Sequence, residues 1–120
     1  MPLSMNNRNR MICLFDCYGN LLTEKQQTLF NYYFNEDLSL AEISDLVGIS
    51  RQAVHNSIGR CEETLESFEK TLGVLARSQM IEETLDRTIA AIEQSLASNQ
   101  WLPEVYEEIL AQLKITRKAD

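Results

Sequence analysis

Turn-forming residues are scarce in this sequence. Only 4 glycines and 2 prolines occur among 120 residues, and both prolines, Pro2 and Pro103, lie outside the long periodic segments. A turn-rich β fold needs more of both, so helices are expected. No apolar run is long enough to span a bilayer, and the short run after the N-terminal arginines meets Asp16, which argues against a signal peptide. With 44% apolar residues, one folded domain is expected.

Cysteine and histidine are also scarce, with 3 and 1 residues, which limits disulfides, metal sites and catalysis. Three cysteines give no disulfide framework, and this favours a reducing cytoplasm. Cys13 and Cys17 share a helix face, but no second pair of cysteines or histidines completes a zinc site. Adjacent acids such as Glu62 and Glu63 have no partner base, and no phosphate-binding glycine loop occurs. We therefore expect a non-enzyme without metal or cofactor, in which the cysteines are buried thiols.

Positive charge is also in short supply, because the net charge is −7. This excess of acids argues against a protein that coats nucleic acid or an anionic membrane nonspecifically. The acids are unevenly placed, since residues 61–108 hold eleven acids against Lys70, Arg77 and Arg87. Residues 50–60, in contrast, contain two arginines, one histidine and no acid. One face can therefore meet a polyanion while the rest of the protein is repelled by it.

The first third of the chain predicts two helices. Residues 9–18 are apolar almost all round, which indicates a short buried helix after a disordered tail over residues 1–8. A strand is the alternative, although only Ile12 in this segment is β-branched. Gly19 is expected to end that helix as a left-handed cap. Thr23 and Gln26 then match a capping box, in which each residue bonds the backbone N–H of the other, so a second helix begins there.

Narrow apolar stripes predict long helices in the second half. One stripe, with spacings of 4, 3, 4, 3 and 4, belongs to a helix that ends before Gly73: Val54, Ile58, Cys61, Leu65, Phe68 and Leu72. A second stripe runs from Ile81 to Leu96, a loop follows at Ser98 and Asn99, and Pro103 is placed to begin the last helix. Such stripes require helices to pack together, either within one chain or in a two-fold homodimer.

The stretch LSLAEISDLVGISRQAVHNSIGR, residues 38–60, has the features of a helix-turn-helix. Ser39 opens its first helix as a capping box, and Ser44 supplies a small residue where the second helix crosses. Gly48 suits a turn that needs positive φ, and Ser50 caps the second helix. Inward apolar anchors are expected from both helices: Ile43, Val47, Ile49, Val54 and Ile58.

Polar side chains at the start of the second helix are the candidate contact residues. Arginine, glutamine and asparagine can pair with base edges in the major groove. Ser50 and the N–H groups of this helix start can hold a phosphate. The candidate site is therefore Ser50, Arg51, Gln52, His55, Asn56 and Arg60. In the alternative interpretation the bend is only a helical corner that docks a protein. His55, the only histidine, has its own alternative as an exposed side chain without a ligand.

Two known families share these motifs. TEKQQTLFNYYFNEDLSLAEISDLVGISRQAVHNSIGR resembles the promoter-reading domain of bacterial sigma factors, where such a helix leads into S-x-x-E-I-A-x-x-x-G-I-S. FDCYGNLLT, NYYFNEDLSLAEIS and GISRQAVHNSIGRCEETLESFEKTLG are closer to the small bacterial YlxM-like family, and this likeness covers residues 10–73 well and the rest loosely. The resemblance implies an all-helical helix-turn-helix regulator in which Arg51, Gln52, His55 and Asn56 contact nucleic acid. It also implies a link to the signal recognition particle pathway, inferred for the family from neighbouring genes.

The predicted architecture is all-α, as one domain over residues 1–120. A helix-turn-helix core spans 21–60, and an acidic helical extension over 61–120 contains a long helix, a C-terminal helical hairpin and a candidate dimer contact. The first functional hypothesis is a cytoplasmic regulator that binds DNA, or structured RNA, as a homodimer because its positive charge is thin. The alternative is a protein-interaction module that docks a component of the signal recognition particle or secretion machinery without binding nucleic acid.

Overall fold

The computed structural model describes residues 6–98 and 103–118, and six α-helices account for most of them. The helices are α1 (Asn7–Tyr18), α2 (Glu24–Phe30), α3 (Leu40–Val47), α4 (Arg51–Leu72), α5 (Val74–Ser98) and α6 (Pro103–Lys118). A short 3-10 turn over Gly19–Leu21 and a π-helical turn over Asn31–Asn35 extend α1 and α2. The prediction of an all-α fold is confirmed. No helix within the described residues is long and apolar enough to cross a membrane.

Some sequence-based boundaries change. The expected tail over residues 1–8 falls partly outside the described residues, but Asn7 and Arg8 already belong to α1. Asn99 of the expected loop also lies outside the described residues, whereas Ser98 ends α5. Our division of the chain at residue 60 stays a prediction, and α4 runs unbroken across that point.

Side-chain caps start the first four helices. Thr23 with Gln26, and Ser39 with Glu42, form complete capping boxes at the starts of α2 and α3, as predicted. At the start of α4 the Ser50 hydroxyl accepts a hydrogen bond from the Ala53 N–H at 3.0 Å. These bonds satisfy N–H groups that a helix start otherwise leaves without a partner, so the helix boundaries follow from local chemistry.

The predicted left-handed cap at Gly19 is wrong. Gly19 has φ −55 and ψ −35, an ordinary right-handed conformation, and the chain continues into the 3-10 turn. Glycine is required here by space instead, because an added Cβ would lie 3.0 Å from the Phe15 ring. The Phe15 ring stacks on Phe30 with centroids 4.3 Å apart, so it has little freedom to move away.

The chain divides into two compact units, residues 1–75 and 76–120. In the first unit, α1, α2 and α3 each pack on α4. The inward face of α4, which we call the α4 seam, supplies the middle of this core through Val54, Ile58, Cys61 and Leu65. Phe68 is half-buried against the Tyr18 ring, at a centroid distance of 5.8 Å, and Leu72 is 51% exposed. The predicted stripe is therefore covered by neighbouring helices of the same chain as far as Phe68.

Polar contacts fasten α1 to the second half of α4. The Arg10 guanidinium donates two hydrogen bonds to the Glu66 carboxylate, at 2.7 and 2.8 Å, and holds the pKa of that carboxyl below its ordinary value. The Tyr18 hydroxyl donates to Glu69 Oε1 at 2.6 Å. The N–H of Val74 then donates to the Tyr18 oxygen, and the N–H of Leu75 donates to Glu69. Two N–H groups at the start of α5 are thus satisfied within the first unit.

The second unit contains the rest of α5 together with α6. Within this unit, the buried side chains of α5 are small and polar, namely Thr84, Thr88 and Ser95. The hydroxyls of Thr84 and Thr88 donate to the carbonyls of Met80 and Thr84, which allows burial without an unmet hydrogen bond. The expected apolar stripe from Ile81 to Leu96 is mostly outside, because only Ile81 is half-buried. The inward face of α5 lies one residue before that stripe, about 100° around the helix.

Shortening Leu65 to alanine tests the extent of the α4 seam. Leu65 is fully buried, so Leu65→Ala should lower the free energy of unfolding by about 2–5 kcal/mol. Leu72→Ala is the matched control, and its exposed site should change stability by less than about 0.5 kcal/mol. Urea unfolding followed by circular dichroism measures both. Equal losses at the two positions would mean that the seam is covered along its whole length.

Candidate nucleic-acid interface

The bend between α3 and α4 has the predicted helix-turn-helix geometry. Gly48 adopts φ 75 and ψ 26, the left-handed conformation, and its N–H donates to the Ser44 carbonyl at 2.9 Å. The Ser44 hydroxyl donates to the carbonyl of Ile49 and so closes the turn. The predicted anchors face inward: Ile43, Val54 and Ile58 are buried, and Val47 and Ile49 pack at the edge of the core. The helical corner is therefore rigidly supported on its inner side.

All six predicted site residues lie together on α4 or at its cap, and all are exposed: Ser50, Arg51, Gln52, His55, Asn56 and Arg60. The amide of Gln52 donates to Asn56 Oδ1 at 3.0 Å, so these two side chains are oriented as a pair. Ser50 has a structural use as the helix cap, whatever else it contacts. Opposite the buried seam, this surface offers several hydrogen-bond donors and acceptors that point away from the core.

Packing of α2 against α4 adds a cation that the site prediction did not include. Lys25 and Arg60 line one groove of about 230 Å³, together with Ser57. Its remaining lining residues are Thr23, Gln26 and Leu29 of the α2 segment. The sequence indicates only that Lys25 is in the first turn of α2. Its position beside Arg60 depends on how α2 lies on α4, which no local pattern reveals.

Two nearby arginines are occupied by contacts within the chain. Arg8 pairs with Asp37 at 3.3 Å and donates to the Phe34 carbonyl, while Arg10 pairs with Glu66. Within residues 6–98 and 103–118, no ion pair involves Lys25, Arg51 or Arg60. These three exposed cations are therefore the positive charges available at the helix-turn-helix surface.

The cysteines and Tyr33 give little support for a metal site or for stacking on bases. Cys61 is fully buried, and burial raises the pKa of its thiol to about 11, which disfavours the thiolate that binds metals. Cys13 and Cys17 are half-buried, and no group of three metal-ligating side chains occurs in the described part of the chain. Tyr33 packs edge-on against Phe34, with centroids 5.0 Å apart, rather than standing free for stacking on bases.

Comparison with known proteins places the chain among relatives. The profile of UPF0122, the helix-turn-helix proteins like YlxM and p13, matches residues 5–109. This chain belongs to that family. A UPF0122 protein of Listeria innocua is 41% identical over 106 residues, which are 88% of this chain and 93% of the relative. A UPF0122 protein of Symbiobacterium thermophilum is 45% identical over 102 residues, which are 78% of this chain and 95% of the relative. A UPF0122 protein of Thermoanaerobacter is 47% identical over 83 residues, 69% of this chain and 71% of the relative.

Membership of UPF0122 agrees with the geometry at Gly48. The family's description as helix-turn-helix proteins corresponds to the bend between α3 and α4, and the matched range includes all six site residues. The resemblance to YlxM-like proteins predicted from FDCYGNLLT and GISRQAV is confirmed at the level of the family.

Replacing Gly48 tests the turn. An added Cβ would meet nothing within 4 Å, so the cost of Gly48→Ala comes only from the left-handed backbone, about 1–2 kcal/mol of folding free energy. Gly48→Asn should cost less, since asparagine tolerates this conformation better. Thermal unfolding of both variants measures the difference. If alanine were tolerated as well as glycine, the turn would adopt another conformation in solution.

Proposed function

We propose that this protein is a nucleic-acid-binding regulator whose α4 N-terminal half enters the major groove of duplex DNA. The observation that carries the proposal is the exposed, acid-free face of α4 that follows the helix-turn-helix bend. Arg51, Gln52 and Asn56 present the side-chain types that pair with guanine and adenine edges. A helix held from behind by a packed core can present these side chains at fixed positions, which base reading requires.

Acid placement limits the orientation of the bound DNA. Beyond the buried Cys61, α4 carries Glu62 and Glu63, and exposed acids continue along α5 and α6. Phosphates near these carboxylates would be repelled. The duplex therefore contacts only the first part of α4, and the favourable charge comes from Lys25, Arg51 and Arg60.

We infer that a second copy of the chain covers an apolar surface on the second unit. This surface, the hairpin apolar face, consists of side chains that are 36% to 61% exposed: Leu85, Ile89, Ile92 and Leu96 of α5, and Tyr106, Leu110 and Leu113 of α6. Each of them directly follows a buried or half-buried residue. The two helices of a hairpin run in opposite directions. The residue that follows each inward-facing residue therefore lies on the same side of the hairpin in both helices. Apolar side chains exposed singly are ordinary on monomers, whereas seven on one side of a hairpin indicate an interaction surface.

The spacing on α5 suits a two-fold axis. Leu85, Ile89, Ile92 and Leu96 are separated by 4, 3 and 4 residues, a pattern that reads the same in both directions. An axis between Ile89 and Ile92 brings each residue opposite an apolar residue of a second copy, so two hairpins form a four-helix contact. A homodimer also doubles the number of available cations. The earlier reason for a dimer, an uncovered α4 seam, no longer applies.

A protein-docking role is the second candidate, and the hairpin apolar face is the observation that favours it. In that case a partner protein, rather than a second copy, would cover these side chains. A role in the signal recognition particle pathway, with one of its components as that partner, rests on the family resemblance alone. The proposed binding to DNA needs no catalysis. The likeness to sigma factors supports only the proposal that the second helix of the helix-turn-helix contacts the bases.

Titration with DNA tests the reading role. Lys25 and Arg60 in two copies would neutralise about four phosphates, which gives a salt slope of about −3.6 and roughly 100-fold weaker binding from 50 to 200 mM salt. Arg51→Ala should cost about 1–3 kcal/mol and relax the preference at one base pair. Selection from a random duplex library, followed by fluorescence anisotropy at low salt, measures both effects.

Arg77→Ala is the matched control for this titration. Arg77 is exposed in the second unit, so its removal takes away the same charge without changing the α4 surface. Structured RNA serves as a second polyanion in parallel. If wild-type protein bound no duplex DNA at tens of micromolar, the proposed DNA-binding role would be abandoned. If it bound no structured RNA either, protein docking would take its place.

Light scattering tests the homodimer. A chain of 13.8 kDa should give a particle of twice that mass at micromolar concentration. Ile89→Asp places a charge in the middle of the hairpin apolar face and should produce monomers with unchanged helix content. Arg87→Asp is a control on the same helix that lies outside the face. A wild-type monomer at these concentrations would reject the dimer and leave the face for a different protein.

A further inference from the structure

Gly59 has no evident role in folding. It lies in the interior of α4, and its φ is not positive, unlike those of Gly48 and Gly73. A Cβ added at Gly59 would meet nothing within 4 Å, in contrast to Gly19, where the Phe15 ring occupies the space. A glycine inside a helix lowers the folded-to-unfolded ratio by a factor of about 2 to 5 relative to alanine. Neither backbone conformation nor packing among the described residues offsets this cost.

The position of Gly59 is the centre of the outward face of α4. Gln52, Asn56, Gly59 and Glu63 follow one another at spacings of 4, 3 and 4, which places them in one row opposite the buried seam. Gly59 lines a surface depression with His55, Asn56, Arg60 and Glu63. Along this row, Gln52 and Asn56 are the candidate base-contacting side chains. Gly59 then leaves the helix backbone without a side chain, and Glu63 is the first exposed acid.

Distance along the helix relates Gly59 to the width of a DNA groove. Gly59 is eight residues after Arg51, which corresponds to about 12 Å at 1.5 Å per residue. The major groove of B-DNA is also about 12 Å wide. When residues near Arg51 meet base edges, the helix near Gly59 therefore lies at the level of the sugar–phosphate strand that borders the groove.

The charges beside Gly59 suit such a strand. Arg60 follows it directly, and Lys25 faces Arg60 across the groove between α2 and α4. Ser57 adds a hydroxyl to the same groove. Glu63 lies one turn further along the row, and its carboxylate marks the limit beyond which a phosphate is disfavoured.

We propose that the sugar–phosphate strand bordering the major groove crosses α4 over Gly59 and continues past Arg60, so that a neighbouring phosphate is held between Lys25 and Arg60. Arg60 connects the two places, because it lines both the depression at Gly59 and the groove that contains Lys25. The missing Cβ lets the strand approach the helix backbone while Gln52 and Asn56 still reach the bases. This inference rests on the proposed reading function and specifies which part of the DNA the site takes. It explains why a helix-weakening residue occupies a position where the fold itself has room for a side chain.

The variant Gly59→Ala tests whether the glycine weakens folding but favours DNA binding. The variant should melt about 2–8 °C higher than wild type, because alanine is the better helix former. It should also bind the selected duplex at least tenfold more weakly at the same salt, and all other duplexes more weakly by the same factor. Ser67→Ala is the matched control: Ser67 is exposed further along α4, so its replacement should raise the melting temperature without changing affinity.

A second variant, Lys25→Gln combined with Arg60→Gln, tests the phosphate clamp. It should reduce binding to all duplexes alike and make the salt slope shallower by about 2 for each bound copy. Gly59→Ala with a raised melting temperature and wild-type affinity would overturn the inference and leave the proposed function intact. A lowered melting temperature, or a loss confined to one base pair, would also overturn it. If the wild-type protein did not bind duplex DNA, the proposed function itself would be overturned. Binding to RNA alone counts as this outcome.

Discussion

Burial of the α4 seam is the constraint on which the first unit depends. Val54, Ile58, Cys61 and Leu65 lie on one side of α4, and α1, α2 and α3 all pack against that side. Because a helix has 3.6 residues per turn, burying these positions fixes which residues point outward. Apart from the Ser50 cap and the Gln52–Asn56 hydrogen bond, the candidate contact residues are therefore placed by the core and not by contacts of their own. They occupy the side of α4 that the core cannot use, and any loosening of the seam would change their orientation.

Positive charge is distributed between folding and binding. Arg10 is used to fasten α1 to Glu66, and Arg8 is used at Asp37 and the Phe34 carbonyl, so neither is available to a ligand in this conformation. Lys25, Arg51 and Arg60 remain exposed on neighbouring surfaces of α2 and α4. Because the protein has a net charge of −7, it is not attracted to nucleic acid as a whole, and the attraction depends on these three neighbouring cations. Binding of this kind favours approach to the first part of α4, since the exposed acids further along α4 and on α5 and α6 repel phosphates.

Local chemistry made much of the fold predictable. The capping boxes at Thr23 and Ser39, the cap at Ser50 and the left-handed turn at Gly48 each depend on a few consecutive residues, and all were correct. Gly19 was misread because its requirement is the Phe15 ring, a contact that composition does not reveal. The orientation of α5 was misread because Thr84, Thr88 and Ser95 can be buried when their hydroxyls bond locally or their size permits close packing. Lys25 lies near this segment in sequence but was left out of the predicted site, because only tertiary packing brings it beside Arg60.

The two proposed surfaces differ in chemistry, and salt should therefore act on them in opposite directions. Phosphate contacts at Lys25 and Arg60 are weakened by salt, because bound counterions must be released from DNA. On α5, Asp86 and Glu93 directly follow the apolar residues Leu85 and Ile92, so an antiparallel second copy brings like charges near each other. Salt screens that repulsion and favours the association of hairpins. A partner helix with basic flanks would show the reverse dependence at the same face. The sign of the salt effect on association therefore distinguishes a second copy from a basic partner, independently of whether the first unit binds DNA.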